Sequence, residues 1–298
     1  MLSLLRLYNT TPQLSYILNP HKLQIMAKSR FEYVKKFEQD DRCLLGCWIV
    51  VRIDGRSFHK FTSEHLFAKP NDLSALKLMD VAACSVMEEF RDIIFAYGQS
   101  DEYSFIFDRK MSLFNRRSSK ILTNLVSLFT SSYTYNWRIH FPNTELKYPP
   151  AFDGRVVLYP NTIVLKDYLS WRQADCHINN LYNTAFWEIV KSGKSHVEAA
   201  ARLKDTFSSG KNEILFSEFG INYNKIEPRY RKGSCLFWID KMTEKSPEGP
   251  DTVGEFITGG ACKKPRVCRE ITVSHEDIIS EVFWSNHPQI LGQDIVNS

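Results

Sequence analysis

Two short acidic motifs carry most of the chemistry available to this sequence. Asp54-Gly55 closes the apolar run Cys47 to Ile53, and Ser100-Asp101-Glu102 follows later, with Asp54 and Asp101 separated by 47 positions. Carboxylates are hard oxygen ligands. Two of them at strand ends, each with a glycine close by, leave coordination positions open for phosphate oxygens, as two divalent cations bridging a triphosphate require. Gly55 lets the chain turn and expose its carbonyl as a further ligand. The backbone amides of Arg56, Ser57 and Phe58 are candidates for an anion-facing nest, and Lys69 and Arg52 are the candidate cations for the remaining phosphate charge. Either motif alone is an ordinary turn. Together they make a site only if the fold brings both to one edge.

The elements that must do so are legible from periodicity. Residues 47–53 are short, apolar and rich in β-branched side chains, which predicts a buried strand that ends at Asp54. From Ser74, apolar residues Leu76, Met79, Ala83, Val86, Met87 and Phe90 recur at helical spacing behind the start signals Pro70, Asn71 and Asp72. Two β-rich runs, Ile93 to Tyr97 and Tyr103 to Phe107, flank a spacer of hairpin length that holds Asp101. A second helix is predicted over roughly 117–135, with Ile121, Leu125, Leu128 and Phe129 on one face, and a further strand over 156–159. Strand, helix, strand, strand, helix, strand is the split βαβ or ferredoxin-like order, in which the first strand and the central hairpin lie side by side. Residues 165–192 read as helical with a turn-like Asn179-Asn180 near the middle, and one more strand is predicted at 235–239.

Composition narrows the partners. With 298 residues and 43% hydrophobic content the chain can bury a sizeable core, and no run is long and apolar enough to cross a bilayer. The net charge is +4, but basic residues cluster at Arg116, Arg117 and Lys120, at Arg229, Arg231 and Lys232, and at Lys263, Lys264 and Arg266. Such patches lean toward a polyanion. The 7 cysteines show no framework of close pairs, and neither Cys43/Cys47 nor Cys262/Cys268 has zinc-ligand spacing, so free thiols are expected. Residues 1–25 carry Arg6, His21, Lys22 and no acid, the composition of a mitochondrial targeting leader, with Met26 reading as a mature or alternative start. The alternative for 1–25 is a disordered leader.

Longer strings go beyond these motifs. Residues 26–61 (through Asp54-Gly55-Arg56-Ser57-Phe58-His59-Lys60-Phe61) are joined by Phe67-Ala68-Lys69-Pro70-Asn71-Asp72, Tyr97 to Phe105, Phe152-Asp153-Gly154-Arg155, Tyr168 to Gln173, and Asp175-Cys176-His177-Ile178-Asn179-Asn180 with the four residues after it. Together these resemble the tRNA-histidine guanylyltransferase family over nearly everything from Met26 to Trp238. The resemblance implies an α+β fold: a ferredoxin-like, polymerase-palm βαββαβ core over 26–160, with further C-terminal helical segments over 161–298 that supply tRNA and oligomer contacts. It implies a nucleotidyltransferase that activates the 5′ phosphate of tRNA-His with ATP, adds GTP in the 3′-to-5′ direction, and then removes pyrophosphate. It implies two Mg²⁺ ions on Asp54, the Gly55 carbonyl and Asp101, with Glu102 in support. GTP would be bound by Asp54 to His59, Lys69, Ser100 and Asp101, and Phe58 and His59 would touch sugar or base. Ala68 and Asp72 would line the guanine side, and His177 and Asn180 would face tRNA. A homotetramer in the mitochondrion, the cytoplasm or both would follow. Two other classes fit the two carboxylates or the fold: a nucleotide cyclase, and a non-catalytic RNA-binding or mitochondrial interaction protein. The segment from Lys241 to Ser298 matches none of the motifs.

Overall fold

The computed structural model describes residues 29–242 and 267–292. The leader at 1–25, Met26, Cys262 and the basic cluster at Lys263, Lys264 and Arg266 lie outside the described residues. The chain divides into two units. The first runs to Asp40; its described part holds a 3-10 turn at Glu32–Phe37, across which Lys35 Nζ lies 3.0 Å from Glu32.

The second unit starts at Asp41 and carries the site. Its first half is β1 (Trp48–Gly55), α1 (Phe58–Glu64), α2 (Leu73–Glu89), β2 (Ile93–Gln99), β3 (Glu102–Phe107), α3 (Ser118–Tyr135), α4 (Trp137–His140) and β4 (Phe152–Tyr159). Then come α5 (Thr162–Lys191), α6 (His196–Leu203), α7 (Ser208–Phe219), α8 (Pro228–Lys232), β5 (Ser234–Met242), β6 (Val267–Ser274) and α9 (Glu281–Asn286). The strands form one sheet in the order β4-β1-β3-β2-β5-β6, and every neighbouring pair is antiparallel. The first four give the expected ferredoxin-like arrangement, extended past β2 by two strands from the C-terminal half.

β1 reads as a continuous apolar run because it is covered on both faces. Ile49, Val51 and Ile53 pack under α2 and α3, while Trp48 and Val50 pack under α5 and α9, and Ile49, Val50, Val51 and Ile53 are fully buried. Burying each such side chain contributes roughly 2 kcal/mol. α2 starts where Asp72 accepts the Ala75 amide at 3.0 Å, and it turns Ala75, Leu78, Met79, Ala82, Ala83, Val86 and Met87 inward. This cap and the apolar stripe are what the periodicity predicted.

Three expectations are corrected. α5 runs unbroken through Asn179-Asn180. The Asn180 amide is satisfied across the helix, accepting from Asn71 and donating to the Tyr223 hydroxyl, both at 2.9 Å, so it does not compete with the helix backbone. Arg116 is no surface cation: it is 4% exposed, and its guanidinium donates to the carbonyls of Cys43, Leu44, Cys47, Arg109 and Met111, stitching two loops together. Its neighbour Arg117 pairs with Asp41 at 3.2 Å. The third concerns elements that were not foreseen, α1, α4 and β6; the helices after α5 fall within the expected C-terminal helical region, though their places were not given. β6 was readable, since Val267, Ile271 and Val273 fall on alternate positions of a run that also holds Thr272.

Among the described residues no helix is long and apolar enough to cross a membrane. The described cysteines are free thiols.

Candidate active site

Asp54 sits near the end of β1, and Ser100-Asp101 form the two-residue turn between β2 and β3. Since β3 pairs with β1 in a register that sets Asp54 opposite Glu102, the hairpin tip has to lie beside the end of β1. A backbone bond fixes the approach: the Gly55 amide donates to the Asp101 carbonyl at 3.1 Å. The Asp101 carboxylate lies directly over Gly55, where a β-carbon would come within 2.8 Å of Oδ2 and within 2.4 Å of the Phe58 ring. Gly55 has no positive φ. The expectation that it supplies a turn is therefore corrected; glycine is needed because Phe58 and Asp101 occupy the space of a side chain.

Asp54 and Asp101 line one cavity of about 410 Å³. Loss of solvent pushes the Asp101 carboxyl up to about 6; a hydrogen bond from Ser100 opposes the shift, and the nearby Asp54 and Glu102 charges add to it. Two carboxylates that repel across an enclosed gap are a donor set that a cation would relieve. Among the described residues no group of three or more His, Cys, Asp or Glu could hold a metal by itself. Two carboxylates and an adjoining Gly55 carbonyl would therefore leave most positions of a bound cation to phosphate and water, as Mg²⁺ sites that work on nucleotides do. The residues present fit that ion and would not make a closed protein cage.

Glu102 is differently placed. Arg172 of α5 donates to both of its oxygens, at 3.2 and 3.1 Å, and Arg52 Nε lies 3.8 Å away. Arg172 also reaches Asp175, at 3.5 Å. The Glu102 charge is thus engaged by arginines, and Arg52, expected to meet phosphate, faces Glu102 and is not part of the cavity lining.

The loop before α2 forms another wall. Asp72 holds it closed by accepting the Ala68 amide at 2.9 Å on one oxygen while the other caps α2. Ala68, Lys69 and Asp72 all line the cavity, and Lys69 Nζ is held 3.1 Å from the Thr62 hydroxyl. Asn71 ties this loop to α5 through Asn180.

The stretch after Gly55 meets its expectations unevenly. The Arg56 amide donates to the Ala151 carbonyl at 2.8 Å, so it is spent and does not join a phosphate nest. The amides of Ser57, Phe58 and His59, at the start of α1, have no partner among the described residues, since the first amides of a helix lack intrahelical acceptors. The Phe58 ring is 6% exposed and packs against Phe61 and Phe152 at centroid distances of 4.9 and 5.5 Å, so it forms part of the cavity floor and core. The Arg56, Ser57 and His59 side chains are exposed and outside the cavity lining, while Ser100, Asp101 and Glu102 are within it. His177 is half-buried against the Tyr223 ring at 5.3 Å, and burial lowers its pKa.

Several residues here had no assigned role: Asp175 on α5, Asp80 on α2 and Arg229 on α8, which line the cavity, and Arg172 on α5, which meets it only through Glu102 and Asp175. Asp80 left a signal, as an acid interrupting the apolar face of an amphipathic helix. Arg229 left none beyond its place in a basic cluster.

Comparison with known proteins gives two family matches. The family described as tRNAHis guanylyltransferase matches residues 31–160, and the Thg1 C terminal domain matches residues 163–280. A probable tRNA(His) guanylyltransferase of Homo sapiens is 55% identical over 275 residues, which is 90% of each chain. The crystal structure of tRNA(His) guanylyltransferase from Saccharomyces cerevisiae superposes with a TM-score of 0.67 at 50% identity, covering 70% of this chain and 93% of that one. A bacterial guanylyltransferase-like protein in complex with ATP shares the fold, with a TM-score of 0.65 at 20% identity over 87% of this chain and 98% of its own.

Proposed function

The chain belongs to the tRNA-histidine guanylyltransferase family, and from that premise we propose how the edge formed by Asp54 and Asp101 carries the family's reaction. The protein is a nucleotidyltransferase that adds a guanosine nucleotide to the 5′ end of tRNA-His, with ATP and GTP as its nucleotide substrates. One observation carries the site assignment: the Asp101 carboxylate stands over Gly55 beside Asp54, and both acids open into the same cavity.

Asp54, the Gly55 carbonyl and Asp101 would hold two Mg²⁺ ions. When bound, these supply positive charge that polarises the attacked phosphorus and lowers the pKa of the attacking hydroxyl. The chain's own groups do the positioning. Phe58 and Lys69 line the cavity, so the Phe58 amide and the Lys69 ammonium would meet phosphate charge there, with the Ser57 and His59 amides beside it at the start of α1. Glu102, tied to Arg172, fixes the start of β3 against α5 and so holds the hairpin tip in register with Asp54. No protein nucleophile is required: the tRNA 5′ phosphate is first adenylylated by ATP with loss of pyrophosphate, and the 3′-hydroxyl of GTP then displaces AMP. Pyrophosphate is finally hydrolysed from the added nucleotide. We further infer a homotetramer with tRNA contacts that include His177, working in the mitochondrion, the cytoplasm or both.

The test uses 5′-monophosphorylated tRNA-His transcript, ATP, GTP and Mg²⁺. Lengthening by one guanosine is expected, and it should vanish with Asp54→Ala and with Asp101→Ala. Near-normal transfer by either variant would reject the site, and a small cyclic product from labelled GTP would reassign the reaction.

A further inference from the structure

The cavity contains a polar pair that none of the steps above employs. Asp80 is only 6% exposed; one of its oxygens accepts the Tyr103 hydroxyl at 2.6 Å, and the other pairs with Nη1 of Arg229. The surroundings are built around this contact. Gly98 has no side chain because the Tyr103 ring passes through the space, 2.2 Å from where a β-carbon would be. Gly233, with φ of 73°, ends α8 directly against the Gly98 carbonyl, and the Tyr97 hydroxyl donates to the Lys232 carbonyl at 2.9 Å. Arg229 is thereby held at a fixed place in the cavity wall.

A guanidinium carries five N–H donors, and Asp80 takes only Nη1. No other described residue accepts from Arg229, and none of its nitrogens is among the polar atoms buried without a partner, so the remaining donors are solvent-accessible on a residue that lines the cavity. Asp80 already offsets the positive charge. The phosphate end is set elsewhere, by Asp54, Asp101 and Lys69, so what Arg229 offers is a planar fork of donors with little net charge. Ala75, Leu76 and Met79 of α2 lie on the same wall and supply an apolar surface for the flat face of a base. Two adjacent acceptors match such a fork. Guanine presents them at O6 and N7, whereas adenine turns an amino donor toward it at the 6 position.

We propose that Arg229, held in place by Asp80, is a guanine-selecting residue of this cavity and donates to the O6 and N7 edge of the incoming guanosine nucleotide. This rests on the functional reading above, because it takes the cavity to be the site of GTP. The energy comes from a bidentate contact, and its loss leaves two acceptors of the base unpaired within the protein.

Calorimetric titration of the full chain in Mg²⁺ with GTP, 7-deaza-GTP and ATP tests it. Wild type should bind 7-deaza-GTP about tenfold more weakly than GTP, in line with bidentate base contacts elsewhere. Arg229→Lys keeps a charge against Asp80 but loses the fork, and Arg229→Ala removes both; in each, the 7-deaza penalty should disappear and the preference for GTP over ATP should fall about tenfold. Equal weakening of GTP and 7-deaza-GTP in the Lys variant would mark a purely structural role and overturn the proposal, as would a wild-type protein indifferent to the N7 atom. Failure of wild type to bind GTP at all would instead reject the functional reading on which the proposal stands.

Discussion

Replacing Gly55 with alanine probes the closest approach in the site. The added β-carbon would stand 2.4 Å from Phe58 Cδ2 and 2.8 Å from Asp101 Oδ2, where ordinary contact begins at 3.4 Å. The ring would have to retreat by about 1 Å and the carboxylate by about 0.6 Å, the differences between those distances. Phe58 cannot retreat freely, since its ring is wedged against Phe61, Tyr133 and Phe152. Asp101 sits on a two-residue turn and will give first. Overpacking of this kind costs about 1–3 kcal/mol, against which the stiffer unfolded chain of an alanine variant returns about 0.4–1 kcal/mol because φ at this position is not positive. A net loss of about 1–2 kcal/mol is expected in urea denaturation. Activity should suffer more: displacing the carboxylate proposed to hold Mg²⁺ by a sizeable fraction of an ångström is expected to slow single-turnover guanosine addition by about 100-fold. Transfer within threefold of wild type, together with an unchanged denaturation midpoint, would show that the crowding around Gly55 is not what holds Asp101, and the geometric reading of the site would fall.

Three further outcomes follow from the contacts. Arg172→Met strands a half-buried Glu102 with only the more distant Arg52 near it, so stability should drop by about 2–3 kcal/mol in a urea melt; an unchanged melt would mean the pair carries no weight. Arg116→Ala leaves five loop carbonyls without their donor and should cost at least about 2 kcal/mol, with faster amide exchange at residues 43–47 and 109–111 as the local signature. The Asp41 carboxyl is held down at about 2, chiefly by hydrogen bonds from Ser119 and also by Arg117. A depressed acid stabilises the fold above its unfolded pKa near 4 and loses that contribution as pH falls through about 2, so Asp41→Asn should lower the melting temperature at pH 7 and differ little from wild type near pH 2. A constant difference across that range would show that ionisation of Asp41 is not the source.

By itself the sequence determined the strands that build the edge on which Asp54 and Asp101 stand. β1, α2, the β2–β3 hairpin and α3 are local objects: their periods, caps and turn residues act over a few positions, so apolar spacing and Asp72 announce them without help from the rest of the chain. Once the order of elements was known, a single antiparallel register was enough to put Asp54 beside the hairpin tip. What only the tertiary structure decided are contacts whose partners come from distant segments. Arg116 looked like a surface charge because its acceptors are backbone carbonyls, which no side-chain pattern reveals. Asn179-Asn180 looked like a break because the partners of Asn180 are 109 and 43 residues away. Gly55 looked like a turn residue, and it is the neighbouring Phe58 ring and Asp101 carboxylate that require it. Arg229 and Asp80 meet across 149 positions, and a pair of that kind acquires its role from the cavity around it, which exists only after the sheet, α2 and α8 have closed on one another.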